Sequence, residues 1–262
     1  MTRVDQAREG FLNKNITEIK KAHKRAFVHQ SIHHGESHSS NFNLPEIILG
    51  GQDGLVNVLG VILGVAAATA SSQLVIVAGL AATFAESVSM AAVAYTSKLA
   101  EADYYQSEYE REKWEIENIP EGEKEEIKAL YENYGFKGKI LGDIVNTITG
   151  NRENWLKVMM EQELKLEAVN RNQALPAAGI VGISALIGSF VPLLPFFFLP
   201  IKISMYLSIV ITSFVLFGIG YYKAKSTIGN NFIKHGLEMM VIGIISALVG
   251  YFVGSIFKVE MF

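Results

Sequence analysis

The sequence has no cysteine, which excludes disulfides and thiolate metal ligands alike. Proline is scarce, six in 262 residues, and three of the six (Pro192, Pro195 and Pro200) fall within one short stretch. No histidine lies between His38 and His235, so the middle of the chain cannot supply the Glu-x-x-His pairs of di-iron helix bundles. Charged residues make up 19% of the chain and hydrophobic ones 50%, too apolar a balance for an ordinary soluble domain. The first 45 residues have no apolar run, so nothing there resembles a cleaved signal peptide.

What the chain does have is clustered apolar sequence. Crossing the hydrocarbon core takes about 20 apolar residues, and five stretches qualify: 46–70, 74–97, 174–194, 199–222 and 237–257. Lysine and arginine set their orientation. Of 23 basic residues, only Lys202 and Lys258 fall on the side opposite the N-terminus, which predicts a cytosolic N-terminus and a far-side C-terminus. Four regions follow: a polar, histidine-containing arm (1–45), two spans (46–97), an acidic helical segment (98–170) and three further spans (171–262). The arm holds His29/His33 and His34/His38, each pair four residues apart and able to share a helix face toward a metal, although Gly35 and the serines interrupt a continuous helix. Prolines 192, 195 and 200 are expected in the turn between the third and fourth spans.

Ionisable residues at membrane depth are costly and mark function. The first span carries Glu46 at its cytosolic end, then Asp53 and Asn57 one helical turn apart. The second carries Glu86 and Met90, again four apart and on one side. Carboxylates with a thioether suit a late first-row divalent ion better than calcium or magnesium, which take all-oxygen shells. Gly50-x-x-x-Gly54 and Gly60-x-x-x-Gly64 permit close helix approach.

With no proline or glycine after Gly79, the second span runs on as one helix into KLAEADYYQSEYEREKWEIEN. Residues 98–170 hold 10 basic and 17 acidic side chains, a net of −7. At 100° per residue, Glu101, Glu108, Glu112 and Glu115 fall within an arc of about 60°. Four like charges on one stripe repel, and bound cations would relieve them. A helix is expected from Glu123 to Tyr134. A third is expected from Asp143 to Asn170, placing Met159, Met160, Glu163 and Glu167 within about 100° of arc. The methionines there could instead pack on Trp114 or Trp155. A membrane helix continuing into a row of carboxylates points to divalent metal traffic.

The DGL of Asp53–Leu55, the AES-x-SM of Ala85–Met90, the EADYY of Glu101–Tyr105 with its following glutamates, and WLKVMMEQELKLE (155–167) together resemble the vacuolar iron transporter family, nodulin-like and prokaryotic relatives included. The resemblance covers about 45–258. It implies an all-α integral membrane protein with five transmembrane helices and an inserted cytoplasmic three-helix metal-binding domain. It further implies a homodimer with the ion path between protomers, exporting cytosolic Fe²⁺ in exchange for protons. Carried onto this chain, the membrane site uses Asp53 and Met90 with Glu46 at the mouth. The cytoplasmic site uses Glu101, Glu112, Glu115, Met159, Met160 and Glu163, with Glu108 added from its face. The second-span carboxylate of plant members aligns with Ala82, whereas this chain places Glu86 one turn nearer the cytosol.

Expected partners are lipid, protons and divalent ions (Fe²⁺, with Mn²⁺, Zn²⁺ or Co²⁺ as alternatives), with no resident cofactor and no nucleic acid. The expected membrane is cytoplasmic in a prokaryote and vacuolar in a eukaryote. Competing expectations are a Mn²⁺ transporter of the same family, a metal sensor or buffer that does not transport, and a di-iron ferroxidase.

Overall fold

The computed structural model describes residues 44–226 and 231–258, together with 11, 13, 15–17 and 21 of the N-terminal arm. The histidine pairs of the arm lie outside the described residues. All regular structure among the described residues is helical: α1 (Leu44–Thr69), α2 (Ser72–Asn118), α3 (Pro120–Asn133), α4 (Gly138–Thr149), α5 (Arg152–Val158), a π turn (Met159–Glu163), a 3-10 turn (Arg171–Gln173), α6 (Ala174–Phe198), α7 (Ile201–Ser226) and α8 (Phe232–Ile256). Among the described residues, five helices are long and apolar enough to cross a membrane: α1, α2, α6 with its preceding 3-10 turn, α7 and α8. The chain divides into two compact units, one of residues 1–90 with 180–262 and the other of residues 91–179.

In the first unit α1 is the central helix. Its buried face runs Gly50, Gly54, Leu55, Val58, Leu59, Ile62, Leu63 and Ala66, spaced for one helical stripe. Two sets of glycines bring neighbouring backbones against it. A methyl group on Gly50 or Gly54 would strike the α6 backbone at Val181 and Ala185, and Gly188 of α6 meets Gly51. Farther along, Gly60 and Gly64 abut Ser246 and Gly250 of α8, and Ser246 Oγ donates to the Val56 carbonyl at 3.0 Å. Both expected Gly-x-x-x-Gly pairs therefore seat a helix. The α1–α2 turn is two residues, Ala70 and Ser71; Ala70 is left-handed (φ 52°), with its N–H bonded to Ala66 O at 3.0 Å.

Two of the three clustered prolines are not in a turn. Pro192 and Pro195 lie inside α6, and only Pro200 falls between α6 and α7. In water a proline pair would end a helix, since each removes an amide donor. Here α6 continues to Phe198, and hydroxyls on α7 donate to carbonyls near that end. Buried Ser208 donates to Pro192 O, and Ser204 donates to Pro195 O (3.1 Å) and Leu199 O (3.0 Å).

In the second unit the end of α2 packs with α3, α4 and α5 around Ile116, Ile127, Leu141, Val145, Trp155 and Leu156. Pro120 does not simply stop α2; it occupies the first turn of α3, where its missing N–H costs nothing. Gly135 (φ 93°) closes the α3 end. The single helix expected over 143–170 is instead broken. Helix α4 ends at Thr149, and the Asn151 side chain accepts from Asn154 N (3.0 Å) to start α5. A π turn then ends the helical run at Glu163. Glu167 consequently lies beyond helical register, exposed.

Candidate metal sites

In the bundle, α1 presents Asp53 and Asn57 on successive turns, and α2 presents Glu86 opposite them. The Glu86 carboxyl lies within interaction range of both Asn57 and Asp53. It is buried, yet neither of its oxygens makes a hydrogen bond of ordinary geometry. An orphaned buried carboxylate costs several kcal/mol unless a cation or proton answers it, so this pocket is built for one or the other. Asn57 also lines a groove of about 490 Å³ between α1 and α8, with Gly60, Gly64, Ser246 and Gly250. Thr83, one turn before Ser87 on α2, is fully buried with an unpaired hydroxyl, and Ser87 Oγ donates to its carbonyl. Glu46 and Met90 are half-buried. Asp53, Asn57 and Glu86 are the members of the expected membrane set that contact geometry unites.

In the acidic unit, carboxylates converge from two helices. Oxygens of Glu112 and Glu115 on α2 and Glu123 on α3 all lie within 4.8 Å of one another, an arrangement able to hold a metal ion. At that spacing and an effective dielectric of about 20, each ionised pair repels by roughly 3 kcal/mol. Glu112 and Glu123 are buried, and one oxygen of each lacks any hydrogen-bond partner. Burial first, then the neighbouring carboxylates Glu112, Glu126 and Glu115, pushes Glu123 up to about 7. Burial likewise raises Glu112, although Arg111 opposes it, and burial with Glu126 raises Glu163. Three acids held above the usual carboxylate range describe a site short of positive charge.

The charge that is present comes from α2 itself. The Arg111 guanidinium reaches Glu108 Oε2 through Nε (3.0 Å) and Nη2 (2.9 Å), Glu112 Oε1 through Nη2 (2.6 Å) and Glu115 Oε2 through Nη1 (2.5 Å). Glu108, Glu112 and Glu115 are thus one cluster, as their shared stripe predicts. Glu101 is not part of it: it pairs with Lys98 at 2.9 Å, two turns and about 10 Å back along the helix. Met159 and Met160 are buried in the apolar cluster with Trp155, while Trp114 is exposed. The π turn beginning at Met159 bonds Leu164 N to Met159 O (3.0 Å) and carries Glu163 into the electrostatic field of Glu126, Glu108 and Glu115. Such turns mark functional sites more often than plain helix does.

Comparison with known proteins identifies the family. The profile described as the VIT family matches residues 44–255. The chain belongs to the VIT family. It is similar to vacuolar iron transporter 2 of Oryza sativa subsp. japonica, 35% identical over 207 residues, covering 79% of this chain and 84% of that protein. Vacuolar iron transporter 1 of Arabidopsis thaliana is 34% identical over 221 residues, covering 84% and 88%. The vacuolar iron transporter of Plasmodium falciparum (isolate 3D7) is 30% identical over 264 residues, covering 97% and 96%.

Two side chains of the acidic cluster in this VIT-family chain escape a reading by pattern. Glu123 was expected only as the start of a helix, yet it closes the carboxylate triangle. The signal was its spacing four residues before Ile127, fully buried, which turns Glu123 to the same inward face. Arg111 contributes to the net charge of the segment, and its signal is its spacing: it stands three residues after Glu108 and four before Glu115, both within helical reach.

Proposed function

We propose that this protein carries a divalent transition-metal ion, ferrous iron first, across a membrane. The observation that carries this reading is the Asp53–Asn57–Glu86 group: a buried carboxylate with two unanswered oxygens, facing a second carboxylate from the neighbouring helix. A carboxylate in that state accepts either a proton or a metal ion, and exchanging one for the other is the chemistry of an antiporter. The family membership and the names of the iron-transporting relatives support the same reading.

The finer mechanism is as follows. The chain sits with its N-terminus and the acidic residues 98–170 in the cytosol, as the lysine and arginine distribution favours. The acidic unit, an inserted metal-binding domain built on Glu108, Glu112, Glu115, Glu123 and Glu163 with Met159 and Met160 behind them, raises the local Fe²⁺ concentration electrostatically. Glu101 and Glu167 lie at its margins. The ion then enters past Glu46 and binds at Asp53, Asn57, Glu86 and Met90, contributed by both subunits of a homodimer. Protons from an acidic far side, a vacuole or the cell exterior, displace it outward. Glu86 takes the part that a carboxylate at the Ala82 position plays in plant members. Mn²⁺ is the nearest alternative cargo.

The test is uptake of Fe²⁺ and Mn²⁺ into proteoliposomes under an imposed pH gradient. Gradient-dependent uptake that Asp53→Ala abolishes supports a proton-coupled transporter, and the ratio of the two ions names the cargo. A sensor or buffer is the second reading, favoured by the three-carboxylate cluster outside the spans. It is the outcome if neither ion is taken up while metal still binds.

A further inference from the structure

We propose that Arg111 is a built-in rival of the metal: its guanidinium and a divalent cation exclude one another from Glu112 and Glu115, so the arginine sets how readily the seat fills and with what. This rests on the acidic cluster being a metal seat, and it adds a residue whose role runs opposite to a ligand's.

The geometry carries it. Arg111 holds Glu112 Oε1 at 2.6 Å and Glu115 Oε2 at 2.5 Å, and these two residues with Glu123 form the triangle able to hold an ion. The other oxygen of Glu112 and one of Glu123 are buried and accept nothing. The seat is therefore half answered, by a cation on one side and by nothing on the other. A metal ion draws carboxylate oxygens to about 2.0–2.2 Å, and a guanidinium at hydrogen-bond distance from the same carboxylates places a second positive charge beside it. Arg111 is free to withdraw, since 45% of its side chain is exposed whereas Glu112 is 2% exposed and fixed. It also has somewhere to go. Glu108 on the preceding turn already grips it through two nitrogens, and Glu108 is not part of the triangle.

Selectivity follows from the charges. An incoming ion must outcompete a resident charge of +1 that makes several hydrogen bonds. A hydrated Na⁺ or K⁺ offers the carboxylates no more than the guanidinium does, whereas a divalent ion that sheds water and binds directly offers twice the charge. Arg111 thus keeps abundant monovalent ions out of a largely buried acidic cluster and lowers its affinity for divalent ions to a level from which they can leave.

The experiment measures Mn²⁺ binding to the full-length protein in detergent micelles, from the electron paramagnetic resonance signal of free Mn²⁺. Wild type is compared with Arg111→Gln and Arg111→Lys, and Glu112→Gln/Glu115→Gln serves as the blank for ions bound elsewhere. Arg111→Gln should tighten the sites absent from the blank by ~10-fold and make them sensitive to added K⁺, which wild type resists. Arg111→Lys keeps the charge but cannot bridge three carboxylates, and should tighten binding severalfold; it also covers the case in which the glutamine variant fails to fold. Unchanged or weaker Mn²⁺ binding in a folded Arg111 variant overturns the rivalry. A blank that binds as much Mn²⁺ as wild type overturns the metal seat itself, a separate failure.

Discussion

The bundle and the acidic unit both bury glutamates, and they treat them in opposite ways. Glu86 is buried, with Asn57 and a second acid, Asp53, within reach from α1. Glu112 is more deeply buried, but a guanidinium from its own helix holds one oxygen. A site that must release its ion to the far side gains nothing from a tethered cation, which would never leave. A site that only collects ions benefits from one, because it prevents both collapse through repulsion and saturation by the wrong ion.

That contrast can be broken or sharpened experimentally. The largest effect belongs to the unanswered carboxylate: Glu86→Gln should reduce metal flux in proteoliposomes at least about 100-fold, whereas Glu101→Gln should leave it unchanged. Packing comes next. Gly54→Leu drives a side chain into the α6 backbone and should destabilise the bundle by about 2–3 kcal/mol, read as loss of monodisperse protein after heating. In the acidic unit Glu123→Gln should weaken Mn²⁺ binding about 10-fold and flatten its pH dependence between 5 and 7, since Glu123 must lose a proton to bind metal.

The same glutamate fixes the sign of a pH effect on stability. Its folded value of about 7 lies above the ordinary glutamate value of 4.5, so the folded state holds more protons than the unfolded one across that window. Stability without metal is therefore greatest below the lower value, falls as pH rises toward 7, and levels off above. Glu112 and Glu163, also raised, act in the same direction. Both tryptophans, Trp114 and Trp155, belong to this unit, so intrinsic fluorescence melts read it alone; Mn²⁺ should reverse the loss. Smallest is Gly142→Ala on α4, where a methyl group meets nothing within 4 Å; it should stabilise by up to about 1 kcal/mol.

Span positions were legible because a bilayer imposes a length on apolar sequence, and the helices match the five stretches to within a few residues at most ends. The α2 extension was legible for the same kind of reason, since nothing in 80–118 breaks a helix. The acidic stripe on α2 was half legible. Angular arithmetic put Glu101, Glu108, Glu112 and Glu115 on one stripe, but it cannot sense distance along the axis, and Glu101 stands two turns back, paired with Lys98. Tertiary partners were out of reach: Glu123 arrives from another helix, and only the pairing of α2 with α3 puts it opposite Glu112. The prolines misled because a rule learned in water assumes that water takes over the orphaned carbonyls. In α6 the helix runs on through both prolines to Phe198, packed against α7, whose serines donate to Pro192 O, Pro195 O and Leu199 O.

That helix has a mechanical consequence. Pro192 and Pro195 each delete one axial hydrogen bond, those that Gly188 and Val191 carbonyls would otherwise receive. A rod missing two adjacent struts is stiff on one side of the gap and compliant on the other. Residues 174–188, where α6 lies backbone-to-backbone against Gly50 and Gly51, form the stiff arm. Residues beyond 192 form the compliant one, tied to α7 through the Ser204 hydroxyl, which reaches Pro195 O and Leu199 O. Bending there strains no amide bond, so elastic deformation of the bundle concentrates at a known place rather than spreading through it.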